Sequence, residues 1–411
     1  MKLRASIAVA LLAGGSLLAA GTVVAAEKSD KNKVSEKVAK IMKPAQDSYN
    51  AKKYNDALTK VHEAESIPDK TPFDQFTIAE FGCAAGVGAQ NYAEAAKYCE
   101  AKLNSSFMPE AEVPSLVRNL ISLNYATKNY DKAIEFAQRA VKAGYASEDN
   151  KNLLAQAYYL KNDWKDTFRI EDQLVDQEIK AGQTPKEQQL SLLLSACVKM
   201  EDNGCQQHAL ERMVSYYPKP EHWEALLFSV RQAVTGNDAV TLQTYRLMND
   251  VDVLKNPQDY NEMANLAIEA GSPGEAQKVL QKGFDKNVFT DPNIKARNQR
   301  LLETARKNAA NDQATLAKTE READAAQTGA KNFGVGVAYL GYGQYDKAVD
   351  AMQKGITKGG LRNDAEAHLM LGIAQLKAGR KDDAVKSFKS VKGDPQLEKL
   401  ANLWVLHARQ A

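Results

Sequence analysis

The chain has 411 residues, room for two to four ordinary domains or one long solenoid. It is Ala-rich and 26% charged, with 54 Lys and Arg against 52 Asp and Glu, a formal net charge of +2. Near-neutrality argues against polyanion binding as the main role, which asks for a basic stripe, and scarce period-two β-branched runs leave an all-α chain.

The first 26 residues differ from the rest. Lys2 and Arg4 precede an apolar run from Ala5 to Ala20, and Val24-Ala25-Ala26 offers small residues before Glu27. This pattern predicts a signal peptide over residues 1–26, cut after Ala26. The run from Ala5 to Ala26 also just suffices to span a bilayer, so an uncleaved N-terminal anchor is the rival reading. Without Lys2 and Arg4 the chain carries 52 basic and 52 acidic side chains. An exported chain with four cysteines (Cys83, Cys99, Cys197 and Cys205) favours disulfides over zinc, because no CxxC or suitably spaced His accompanies them.

Past a polar start, one tetrapeptide recurs in phase. Tyr54-Asn-Asp-Ala57, Tyr92-Ala-Glu-Ala95, Tyr130-Asp-Lys-Ala133 and Tyr345-Asp-Lys-Ala348 are four copies; Trp164-Lys-Asp-Thr167 and Pro273-Gly-Glu-Ala276 are degenerate ones. The aromatic is expected to open a helix beneath a turn, and the alanine to sit where two helices cross most closely. Near the C-terminus, Ala367 to Val391 reads as a complete hairpin, with Leu371, Gly372 and Gln375 on one helix, a break at Gly379, and Ala384 and Phe388 on the next.

These residues, at a period of about 34 to 38, resemble the tetratricopeptide repeat (TPR). The resemblance implies an all-α, TPR-type α-solenoid of antiparallel helix hairpins with a C-terminal capping helix. Residues 27–290 are assigned to an N-terminal solenoid and residues 331–411 to further repeats and the cap. Between Asp166 and Pro257 the pattern weakens but stays helical. Residues 291–330 hold few large apolar points, among them Leu301, Leu302 and Leu316, and are expected to form an Ala-rich charged helical hairpin or a linker. In the last helix, Leu397, Leu400, Ala401 and Trp404 form one apolar stripe with a polar back.

No catalytic spacing is present: the five histidines are scattered, and no GxSxG, HExxH or P-loop occurs. The chain is therefore read as non-enzymatic, without cofactor, metal, nucleic-acid ligand or small-molecule substrate. The TPR resemblance implies a binding surface on the first helix of each repeat. In the third and fourth repeats its outward residues are Arg118, Ser122, Tyr125, Asn152, Gln156 and Tyr159, two tyrosines and an arginine among amides that suit an extended peptide. The lysines of the two-carboxylate clamp found in chaperone-binding TPR domains are absent. In TPR register Cys83 and Cys99 face each other across a tight helix crossing, and Cys197 and Cys205 flank a later turn; both pairs are expected to bridge, with buried thiols as the alternative.

Tyr217-Pro-Lys-Pro-Glu-His-Trp223 resembles a YPxPxxW segment of periplasmic TPR proteins that accompany TonB–ExbB–ExbD energy-transduction systems. That resemblance implies a periplasmic scaffold for a cell-envelope protein partner, touching the membrane only through that partner. An assembly factor for outer-membrane biogenesis or polysaccharide export is the alternative. Tyr216, Tyr217 and Trp223 also read as packing residues of a repeat junction.

Overall fold

The computed structural model describes residues 33–234 and 236–410; the expected signal peptide lies outside them. Twenty α-helices and no strand occur among the described residues. Residues up to Gln183, with Ser195–Met200, form one compact unit, and Thr184–Leu194 with the chain from Glu201 onward form a second.

In the first unit the helices are α1 (Glu36–Asn50), α2 (Tyr54–Glu65), α3 (Pro72–Gly88), α4 (Tyr92–Leu103), α5 (Val113–Ala126), α6 (Tyr130–Lys142), α7 (Glu148–Leu160) and α8 (Trp164–Lys180). Each packs on the next, so they read as four hairpins in series. The recurrent aromatic is the first residue of α2, α4, α6 and α8. Ala57, Ala95, Ala133 and Thr167 are at most 1% exposed, because the partner helix leaves no room there. Gly86 shows how tight the crossing is: a Cβ added to it would lie 2.8 Å from the Ala95 Cα. Caps fix where helices begin. Thr71 and Asp74 form a capping box at the start of α3, and Ser147 with Asn150 does the same for α7.

A backbone signature marks every hairpin turn. Two residues before the second helix stands a residue in the left-handed region: Lys52, Gln90, Lys128, Asn162, Glu201, Gly236, Gly271, Gly343 and Gly379. These nine positions are 34 to 39 residues apart, except for one gap of 72 between Gly271 and Gly343. The period therefore continues through the middle of the chain, where the sequence pattern fades. Helix α9 (Glu187–Lys199) carries residues of both units.

The second unit contains α10 (Asn203–Tyr216), α11 (Pro220–Ala233), α12 (Asp238–Asp250), α13 (Pro257–Glu269), α14 (Pro273–Asp285), α15 (Pro292–Ala325), α16 (Ala330–Tyr342), α17 (Tyr345–Lys358), α18 (Asp364–Lys377), α19 (Lys381–Lys389) and α20 (Pro395–Gln410). One hydrophobic core runs from Leu210 to Ala408. Gly372 lies against the Phe388 ring, which an added Cβ would meet at 2.5 Å.

The long gap is filled by α15, a single 34-residue helix. Residues 291–330 are expected to be an Ala-rich charged helical hairpin or a linker; the structure corrects this to one uninterrupted helix over Pro292–Ala325, of a repeat's length, with Ala330 already in α16. The reason is local. Asp291 caps the start through the amides of Asn293 and Ile294, and no Gly or Pro follows Pro292 before the end to break the Ala-rich run. Its buried residues Leu302, Ala305, Ala309, Leu316 and Ala323 make a single stripe against α14 and α16, which also touch each other.

Helix α20 departs from the single-stripe expectation as well. Leu397, Leu400, Ala401, Trp404 and Ala408 are buried, but so are Leu403 and Val405. It is covered on two sides, by α18 and α19 and by α10 and α12. The last repeat thus folds back on helices more than 120 residues earlier, whereas an open solenoid contacts only sequence neighbours.

Candidate protein-interaction surface

The six outward residues of α5 and α7 are partly buried, and several are linked to one another or to the next repeat. Tyr125 Oη donates to Gln156 Oε1 at 2.9 Å, which ties α5 to α7. Tyr159 Oη and Ser195 Oγ are 2.6 Å apart, which ties α7 to α9. Arg118 Nη1 donates to the Tyr145 carbonyl at 3.3 Å, in the link between α6 and α7. Each tyrosine also meets, edge to face, the aromatic that opens the following helix: Tyr125 with Tyr130 at 5.7 Å, Tyr159 with Trp164 at 4.8 Å. Burial, and next the neighbouring Tyr130 hydroxyl, push the Tyr125 phenol above its ordinary range.

The structure therefore joins Tyr125 with Gln156 directly and brings Tyr159 to Ser195, a partner the sequence did not reveal. Ser122 and Asn152 lie on the same two helices, half-buried. Nothing in the sequence spacing separates a tyrosine that faces a ligand from one that bonds the next helix, since both sit at the same helical position. Both tyrosines keep partial exposure while their hydroxyls are held by neighbouring helices.

Cys83 on α3 and Cys99 on α4 form a disulfide with Cα atoms 4.7 Å apart. Cys197 and Cys205 are also disulfide-bonded, and no cysteine is free.

The second unit treats its inward polar residues differently. On α12, Gln243, Arg246 and Asp250 form a stripe that is covered by the chain itself. Arg246 grips Glu275 through Nε at 2.8 Å and Nη2 at 2.6 Å, and its Nη1 reaches the Met370 sulfur. Gln243 donates to Glu366 at 3.2 Å. Asp250 accepts from Lys377 and stands 2.7 Å from His407 Nε2. Burial alone would raise the Asp250 carboxyl, but His407 and Lys377 together hold it below the usual range. Trp223, 3% exposed, packs edge-on against His407. Tyr217 Oη donates to the Pro185 carbonyl at 2.8 Å, so the Tyr217–Trp223 segment is a repeat junction here. These closing residues were missed because a charged stripe on a helix reads as a solvated face.

Residues 336–398 match the family model described as tetratricopeptide repeat. The fold is a TPR-type α-solenoid. Among solved structures, this chain is similar to the Naa15/Naa10 complex bound to HypK-THB at 14% identity and a TM-score of 0.35, covering 89% of this chain and 65% of that one. The chain thus spans just under two thirds of the length of that relative. A tetratricopeptide repeat protein from Parabacteroides merdae aligns at 13% identity and a TM-score of 0.25, over 71% of this chain and 98% of that one. The maize pentatricopeptide repeat protein PPR10 aligns at 16% identity and a TM-score of 0.30, over 87% and 50%. The fold assignment rests on the hairpin geometry and, over residues 336–398, on the family match. No curated protein sequence matches the chain.

Proposed function

We propose that this TPR protein is a non-enzymatic scaffold that binds a protein partner along the α5–α7 face of its first unit. One observation carries the reading. The first unit keeps Arg118, Ser122, Tyr125, Asn152, Gln156 and Tyr159 in a partly exposed row, cross-braced by hydrogen bonds, whereas the inward stripe of the second unit is occupied by its own α18 and α20. First helices line the concave side of such a solenoid, and Tyr and Arg concentrate binding energy where a partner seats. A photo-crosslinker placed at Ser122 or at Asn152 is expected to capture one common partner, and one at Lys142 on the opposite helix to capture none. Equal capture from Lys142 would remove the groove from consideration. Arg118→Glu should then weaken that capture, with only a small fall in melting temperature from the lost bond to the Tyr145 carbonyl.

We further propose export to the periplasm. The support is the basic start at Lys2 and Arg4, the apolar run, the small residues before Glu27 and the oxidation of all four cysteines. Among the described residues no helix is long and apolar enough to cross a membrane. Intact-mass measurement of the protein from a periplasmic fraction tests this; a mass retaining residues 1–26 would instead mean an anchored form. A TonB-type energy-transduction complex is the partner class we favour, on the resemblance of Tyr217–Trp223 alone. Finding an outer-membrane or polysaccharide-export assembly component in the crosslinked product would favour the envelope-assembly role.

A further inference from the structure

Helix α15 carries five acidic residues, and three of them are taken up by the neighbouring repeat. Asp312 accepts from Tyr342 Oη at 2.5 Å, Glu320 from Tyr339 Oη at 2.7 Å, and Asp324 from Asn332 Nδ2 at 2.8 Å and Lys354 Nζ at 3.2 Å. On the side away from the buried stripe stand Arg297, Arg300, Lys307, Lys318 and Arg321, all exposed. At 100° per residue the five fall within a sector of about 120° and extend along about 36 Å of helix. Arg297, Arg300 and Lys307 form no ion pair among the described residues; Arg321 bonds only the Ala317 carbonyl, and Lys318 meets Glu322 at 3.9 Å within the same helix.

Several basic residues elsewhere answer an acid in another repeat: Lys97 with Glu65, Lys132 with Glu100, Lys161 with Asp131, Lys286 with Asp252, Arg380 with Asp346. The five cations on the outer face of α15 have no such partner in another repeat among the described residues.

The chemistry of the face selects its occupant. It holds no aromatic on which bases could stack and no large apolar residue to enter a bilayer. Glu303 and Glu322 interrupt the row, which weakens attraction to a continuous phosphate surface. Arginine forks suit carboxylates, and Ala314 and Ala325 allow another backbone to come close. We propose that the outer face of α15 docks an acidic helix of a partner protein. This surface is independent of the α5–α7 row.

The test uses the full chain and three probes: a helical peptide of about 21 residues with Glu repeated at helical spacing, a scrambled peptide of equal charge, and a DNA duplex beside phosphatidylglycerol vesicles. The helical peptide should bind at least about fivefold more tightly than its scramble at low salt and be released near 0.5 M salt. Charge reversal by R297E/R300E/K307E should weaken it at least about tenfold with melting unchanged, since exposed pairs are individually weak but act together here. K318E/R321E is a second variant should the triple one fold poorly, and it should weaken binding in the same direction. Equal affinity for the scramble, tighter binding of DNA or vesicles, or indifference to both reversals would overturn the proposal.

Discussion

Glu171 on α8 offers the sharpest perturbation. It is 1% exposed, and its Oε2 has no hydrogen-bond partner among the described residues. Burial first, and then the nearby charge of Glu178, push its carboxyl from 4.5 up to about 8. A raised carboxylate pKa means the native state holds a proton that the unfolded chain releases. Its contribution is therefore fully present below pH 4.5 and is lost progressively as pH rises to about 8. Integrating that shift gives a loss of about 1 kcal/mol by pH 5 and between about 4 and 5 kcal/mol by pH 8.5. Glutamine has the same shape and does not titrate, so Glu171→Gln cancels the pH-dependent part and leaves any constant offset. Urea unfolding of wild type and variant at both pH values measures the difference of differences. The variant is expected to gain about 4 kcal/mol on the wild type between pH 5 and pH 8.5. A change below about 1 kcal/mol would refute the reasoning, because it would mean that Glu171 titrates normally or reaches water.

Two further perturbations follow from the packing. Asp250→Asn takes the carboxylate away from the covered His407 and the partly exposed Lys377, which should cost about 1 to 3 kcal/mol and speed hydrogen exchange in α12 and α20 before the rest of the second unit. Because the Asp250 carboxyl is held below 3.8, its contribution is present above that pH and lost as pH falls through the folded value; uniform exchange across the unit would mean that the closure is not held at this point. Replacing Cys83 and Cys99 together with alanine opens a loop of 16 residues and should lower the stability of the first unit by about 3 kcal/mol on the chain-entropy argument, read by denaturant unfolding without reductant. An unchanged midpoint would mean that the crossing at Gly86 and Ala95 already fixes the hairpin.

What the sequence by itself determined is what short-range packing dictates. The Tyr-x-x-Ala pattern placed the starts of α2, α4, α6 and α17, because an aromatic under a turn and an alanine at a crossing act within one hairpin. It lost the rhythm between Asp166 and Pro257, where the period survives in the left-handed turn residues Glu201 and Gly236 rather than in side-chain type. It read residues 291–330 as a hairpin or a linker because large apolar residues are few there, yet alanines such as Ala305, Ala309 and Ala323 complete the buried stripe and no breaker interrupts the helix. Only the tertiary structure decided which polar residues stay partly exposed and which are enclosed. Tyr125 and Tyr159 are braced by the next repeat, and Arg246 and Asp250 are enclosed by helices up to 157 residues further along the chain. A local period records which face of a helix meets its neighbour in the hairpin, but contacts across more than a hundred residues depend on how the repeats curve, and that curvature accumulates from every interface between them.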